Sequence, residues 1–193
     1  SDVCSSDLEP CIMRWPGRQP AGAVNDRFMM TIDLLPTIAG LTGAKLPALP
    51  IDGLDVWPLL SLQPGATNPH AGYGMWYAQN ELQAVVSGDG RWKLQLPHIY
   101  RTLNGRPGGR DGLPAKYEDA RLAAPLLYDL VNDIGEKTDV AAAHPEEVKQ
   151  LLAFAEQCRA ELGDNLVSRP RGTGSREPGR VEGEAAKKKK KAG

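Results

Sequence analysis

Cysteine is scarce in this chain: Cys4, Cys11 and Cys158 are the only three in 193 residues. No two lie close together, so neither a zinc-ligand spacing nor a disulfide framework is present, and a single Cys11–Cys158 bridge stays open. The redox compartment is therefore not readable. Histidine is equally sparse, with His70, His98 and His144 scattered along the chain. No apolar run is long enough to span a bilayer, which excludes a membrane-crossing helix. Ser1 to Pro10 is polar and does not resemble a signal peptide. Phosphate-loop, Gly-x-Ser-x-Gly and His-Glu-x-x-His patterns are all missing, as is any internal repeat. Net charge is nearly absent too, with 23 basic against 24 acidic residues. That balance argues against a dedicated nucleic-acid binder.

The charge is unevenly spread. Ser168 to Gly193 holds nine Lys/Arg and three Glu, a net of +6, which leaves 14 basic and 21 acidic residues, a net of −7, for Ser1 to Val167. The hydrophobic content of 41% and charged content of 24% suit a folded globule. Residues 167–193 are rich in Gly, Pro and charge, lack apolar periodicity and are expected to be a disordered basic tail. Its Lys187–Lys191 run could attract polyanions, although a solvated tail without a partner is the simpler account. At the other end, residues 1–8 (Ser-Asp-Val-Cys-Ser-Ser-Asp-Leu) can be read in one frame as a string that resembles the end of a common short-read sequencing adapter. They are expected to be an assembly artefact rather than native sequence, the alternative being a polar N-terminal arm.

Between these ends the pattern is that of a mixed α/β chain. Cys11 to Trp15 reads as a short buried strand, ended by a Pro16-Gly17 turn. Val24 to Ile32 reads as extended. Asp33 is the expected N-cap of a helix over Leu34–Thr42, with Pro36 in the first turn, where no intrahelical N–H bond is lost, and Gly43 as the left-handed terminator. Asp52-Gly53 reads as a turn. Residues 63–71, rich in Pro and Gly, read as a linker between residues 9–62 and a second unit, 72–166.

In that second unit, Gly72–Gln79, Leu82–Val86 and Arg91–Leu96 read as antiparallel strands, the last two joined by a Gly88-Asp89-Gly90 hairpin loop. The alternation of Trp92, Leu94 and Leu96 with Lys93 and Gln95 predicts a half-buried strand. Asn104–Pro114 reads as a long loop and Leu126–Leu130 as a further strand. A helix is expected from Pro145, with Glu146 and Glu147 at its positive end and Gly163 beyond it. The expected fold class of this unit is thus a small α+β subdomain, with an antiparallel sheet of three or four strands covered by a C-terminal helix.

Candidate chemistry is thin. His144 fits the helix start, and His70 reads as solvent-facing. His98 precedes Tyr100, Arg101, Arg106 and Arg110 in what reads as a loop, and a His among Arg side chains could face an anionic substrate. The competing reading is a solvated loop. Asp129, Asp133 and Glu136 read as turn residues rather than a cation site.

The order of these segments carries a resemblance. Pro10-Cys11-Ile12-Met13-Arg14-Trp15-Pro16-Gly17 resembles the P-x-I-x-R-W-P-G segment of the formylglycine-dependent sulfatases. Asp33 to Gly43 is similar to their D-L-x-P-T-x-x-x-L-A-G helix. Ile51-Asp52-Gly53-Leu54-Asp55, Ala84 to Leu94, Leu127 to Glu136 and Ala143-His144-Pro145-Glu146 resemble the elements that follow. Each is weak alone; six in the right order are specific. Two departures are Val86, where the family usually has Arg, and Ile134, where it usually has Pro. The resemblance runs from about Pro10 to Leu166.

It implies an alkaline-phosphatase-like α/β sandwich, of which residues 9–62 would be the end, followed by the α+β subdomain. It implies a sulfuric ester hydrolase acting on small-molecule sulfate esters with Ca2+ and a formylglycine made from the Cys or Ser of C/S-x-P-x-R. That motif precedes the R-W-P-G segment in the family, and none of the three cysteines here is followed by it. Catalytic and metal residues are therefore expected to be absent from this chain, which alone is expected to be inactive. By the same analogy, substrate-side residues are expected at His98, Tyr100 and Arg101. Two alternatives remain: a phosphonate or phosphodiester hydrolase of the same superfamily, or a non-catalytic polyanion-binding module. Oligomeric state and localisation are not readable.

Overall fold

The computed structural model describes residues 9–167. The expectations for residues 1–8 and for the basic tail from Ser168 onward lie outside the described residues.

The chain is mixed α/β. Its centre is a four-stranded antiparallel sheet in the order β1-β2-β3-β6, from β1 (Gly72–Tyr77), β2 (Glu81–Ser87), β3 (Trp92–Gln95) and β6 (Leu126–Asp129). A separate two-stranded ribbon pairs β4 (His98–Thr102) with β5 (Glu118–Leu122). Three helices complete it: α1 (Leu34–Thr42), α2 (Trp57–Leu60) and α3 (Pro145–Leu162).

Both faces of the sheet are covered. One register row, Val85, Leu94 and Leu127, faces α3 and packs on Leu151, Ala155 and Cys158. An irregularity where β1 meets β2 lets Leu82, three residues from Val85, join the same core. Gly74, paired with Val85, lies on the same face, and a Cβ there would come within 2.4 Å of the Trp76 ring. The neighbouring row runs Tyr73, Val86, Lys93 and Tyr128, and it is buried as well. Phe28 closes part of it, with its ring 5.0 Å from that of Tyr73. The half-buried reading of β3 is thus corrected: Lys93 is 1% exposed, and its Nζ bonds Glu136 Oε1 at 2.9 Å. Glu136 is correspondingly no turn cap, since Gln95 Nε2 donates to its other oxygen. Asp133 does cap its turn, accepting from the Lys137 and Thr138 amides.

Helices α1 and α3 form where the local chemistry places them. Gly43 sits at φ +73 and its N–H returns to Ala39 O. Pro145 opens α3, and Gly163 ends it. His144 is structural, its ring 4.6 Å from that of Trp92. At the far end of α3, Asp164 is fully buried and accepts from the Leu82 amide and from Arg159 Nε.

Four expectations change. Cys11–Trp15 is not a strand: it has no ladder partner among the described residues, and Ile12 is 96% exposed. A strand needs a neighbour as well as apolar residues. Cys11 and Cys158 are free thiols, one exposed and one buried, so they do not form a bridge. Asp52-Gly53 is a bend rather than a turn, and the glycine serves close approach, since a Cβ there would meet Ile32 O at 1.9 Å. Finally, Asp33 has helical backbone angles and its side chain does not cap α1, because a 3₁₀ turn over Thr31–Asp33 already leads into the helix.

Candidate functional site

The carboxylate of Asp33 is instead the hub of a buried polar cluster. It accepts from the Met30 amide at 3.1 Å, the Leu54 amide at 3.0 Å, the Tyr73 hydroxyl at 3.3 Å and His70 Nε2 at 2.6 Å. Asn68 Nδ2 donates to Phe28 O and lies 3.0 Å from the Tyr73 oxygen. Burial pushes the Tyr73 phenol up to about 12, aided by the Asp33 charge and opposed by its bond to Asn68. His70 is therefore not solvent-facing: its side chain is 10% exposed and pinned on Asp33. The cluster ties the start of α1 to the segment before β1. Its oxygens are consumed by these donors, so it serves the fold.

The candidate binding feature is a separate cleft, which Met30 of this cluster also lines. A cleft of about 1010 Å³ opens between the β1–β2 hairpin and the β4–β5 ribbon. That volume is of the size that holds a small organic ligand. Met75, Trp76 and Tyr77 line it from β1, Gln83 and Ala84 from β2, and Gln95 from β3. His98, Tyr100 and Arg101 line it together from β4, with Tyr117 and Asp119 across the ribbon. The three residues expected from sequence thus share one cleft, but on a strand rather than a loop. Residues on a strand alternate in direction. His98 and Tyr100 accordingly fall on one face, with ring centroids 5.8 Å apart. Arg101 lies on the other and stacks over Tyr117 at 5.6 Å, a cation–π contact.

His98 is buried, and its Nδ1 lies 2.6 Å from Leu96 O. Arg106 does not join the site. It braces the loop by bonding Leu103 O, Lys116 O and Glu118. Arg110 does not line the cleft either; it is bridged to Leu113. Trp76 and Tyr77 were not expected at the site, whereas Tyr117 ends the His98–Tyr117 segment expected on the substrate side. The aromatic density of Gly72–Tyr77 was the available signal, and it reads equally as core.

Comparison with known proteins covers most of the chain. No family model matches it. Steryl-sulfatase of Mus musculus is 33% identical over 168 residues, covering 79% of this chain and 26% of that protein. Arylsulfatase A of Homo sapiens is 33% identical over 162 residues, covering 80% of this chain and 31% of that protein. The chain is a sulfatase homologue. The homologue spans less than a third of the length of these two relatives. A solved chain from work on glycosaminoglycan metabolism by Bacteroides thetaiotaomicron is 26% identical, with a TM-score of 0.46, covering 66% of this chain and 24% of that one.

Sulfatases use Ca2+ and formylglycine, and the described residues of this homologue fit neither. No group of three or more His, Cys, Asp or Glu side chains is placed to hold a metal among the described residues. Cys11 precedes Ile-Met-Arg, and Cys158 is buried under the sheet, so neither stands in a C/S-x-P-x-R setting. Burial pushes the Cys158 thiol up to about 11, which keeps it protonated and inert. Among the described residues no helix is long and apolar enough to cross a membrane.

Proposed function

We propose that this homologue is the C-terminal part of a sulfuric ester hydrolase and forms one wall of its substrate cleft. The observation that carries the reading is similarity at about a third identity to two sulfatases over most of the chain. The cleft beside β4 supports it, because it gathers His98, Tyr100 and Arg101 on one wall. The nucleophile, the Ca2+ ligands and the sulfate-ester chemistry then belong to a preceding segment of the parent protein. Residues 9–62 would be the end of its main α/β domain, 63–71 the linker and 72–166 the C-terminal subdomain.

The test is turnover of an aryl sulfate, 4-nitrocatechol sulfate, by two preparations. The protein encoded by the complete source gene is expected to hydrolyse it. The 193-residue chain is expected to show no turnover above the buffer rate. Turnover by the short chain alone, or an inert full-length protein that hydrolyses a phosphodiester instead, overturns the proposal.

A further inference from the structure

The cleft between the β1–β2 hairpin and the β4–β5 ribbon carries an exposed aromatic ring on each of its two walls. Tyr77, the last residue of β1, is 62% exposed, and Tyr117, just before β5, is 48% exposed. Two rings left in water are a cost that the apolar face of a ligand removes. The wall that holds Tyr77 is stiff. In the turn after it, Ala78 and Asn80 have φ +48 and +65, a left-handed backbone that an alanine adopts only at a cost. The residues around the end of α3 hold the turn there. The Asn165 amide donates to Asn80 O at 2.9 Å, and Asn80 Nδ2 donates to Leu162 O at 3.3 Å. On the other wall Arg101 stacks over the Tyr117 ring and braces it. Both platforms are thus set before a ligand arrives, which lowers the ordering cost of binding.

The polar groups of the cleft include carboxylate oxygens that the protein leaves open. Asp119 pairs in register with Arg101, yet Arg101 is turned onto Tyr117, and the Asp119 carboxylate has no partner among the described residues. Glu81 accepts one hydrogen bond, from Gln83 Nε2 to Oε2 at 2.9 Å, which leaves its Oε1 open. Ionised carboxylate oxygens only accept, so a complementary ligand brings hydrogen-bond donors. A purely apolar ring would strip water from Glu81, Gln83 and Asp119 and return nothing. A pyranose supplies both halves of the match. It has a face of C–H groups for Tyr77 and Tyr117, and a rim of hydroxyls that donate to Glu81 and Asp119 and accept from Arg101.

We infer that this cleft binds a pyranose ring, so that the alcohol part of the sulfate ester is a saccharide. Tyr77 and Tyr117 are its platforms, and Asp119 and Glu81 accept its hydroxyls. The assignment of the ester rests on reading the chain as part of a sulfuric ester hydrolase; binding of the ring itself does not.

The test titrates the 193-residue chain with three disaccharides of different stereochemistry, cellobiose, lactose and N-acetyllactosamine. Cyclohexanol and benzylamine serve as an apolar and a cationic ring. Trp fluorescence and saturation-transfer difference NMR read the binding. At least one disaccharide is expected to bind about tenfold more tightly than either simple ring, with saturation concentrated on one ring face. Tyr77→Ala and Asp119→Ala should each weaken it about tenfold, the difference one aromatic contact or one charge-assisted hydrogen bond makes. Val131→Ala, at an exposed residue outside the cleft, should leave binding unchanged. No binding by any of the three disaccharides overturns the inference. So does equal affinity for cyclohexanol or benzylamine, or a bound disaccharide indifferent to Tyr77→Ala or Asp119→Ala. Tyr77 and Asp119 are exposed, and the melting curves of their variants show whether each folds; the ligand comparison on the unmodified chain stands in either case. Turnover of 4-nitrocatechol sulfate by the full-length protein is scored separately, since an activated ester can react without filling this cleft. Disaccharide binding without turnover defeats the functional reading alone, and turnover without disaccharide binding defeats this inference alone.

Discussion

Replacing Asp33 by Ala removes the acceptor from four donors at once: the Met30 and Leu54 amides, the Tyr73 hydroxyl and His70 Nε2. Asp33 is fully buried, so water does not take over. Hydrogen bonds to a charged acceptor contribute about 1.5–3 kcal/mol each, but bonds sharing one group are not additive. Breaking a buried ionic network by deleting one partner costs about 3–5 kcal/mol. We therefore expect Asp33→Ala to lose about 4 kcal/mol, a large part of the 5–15 kcal/mol typical of a domain. With a urea slope of about 2 kcal/mol/M, the midpoint should fall by about 2 M. Urea titration followed by Trp fluorescence reads this directly. In a double-mutant cycle, Asp33→Ala and His70→Ala should couple by about 1–3 kcal/mol. A midpoint shift below about 0.2 M for Asp33→Ala, or additive single variants, refutes the hub.

Three further outcomes follow from the same packing. Lys93→Met strands Glu136 in a buried site and should cost about 3–5 kcal/mol by urea titration, whereas Lys93→Met with Glu136→Leu should recover most of the loss. Tyr73 ionises at about 12 when folded against 10.0 for a free phenol, so the unfolded chain loses this proton first as pH rises. Its stability contribution is complete below pH 10 and declines as pH climbs toward 12; Tyr73→Phe should flatten that decline in alkaline melts. Alkylation mapped by mass spectrometry should label exposed Cys11 quickly and spare Cys158 until denaturant is added, and equal rates would contradict the placement of α3.

Elements whose signals are local were legible in the sequence. Gly43, the Gly88–Gly90 hairpin and the Pro145–Leu162 helix each carry their start or stop within a few residues, and the structure places them accordingly. What failed depended on distant partners. Cys11–Trp15 has the composition of a strand without a neighbour to pair with. Lys93 has the alternation of a solvent-facing residue, yet its partner Glu136 is 43 residues away. Asp33 has every local mark of a cap, but its amide partner Leu54 and His70 come from 21 and 37 residues downstream. The β4–β5 ribbon was missed because Glu118-Asp119-Ala120-Arg121-Leu122 is charged rather than β-branched, and a Gly-rich loop separates it from β4. His98, Tyr100 and Arg101 were found as a cluster, but their setting was not.

The central claim is that this chain is the C-terminal part of a sulfuric ester hydrolase, and sequencing the source DNA upstream of the Glu9 codon tests it most directly. The account predicts an open frame running on through a C/S-x-P-x-R motif. An initiating Met or a stop codon just upstream of Glu9 would contradict it, leaving a short α+β protein with a ligand cleft and no catalytic parent.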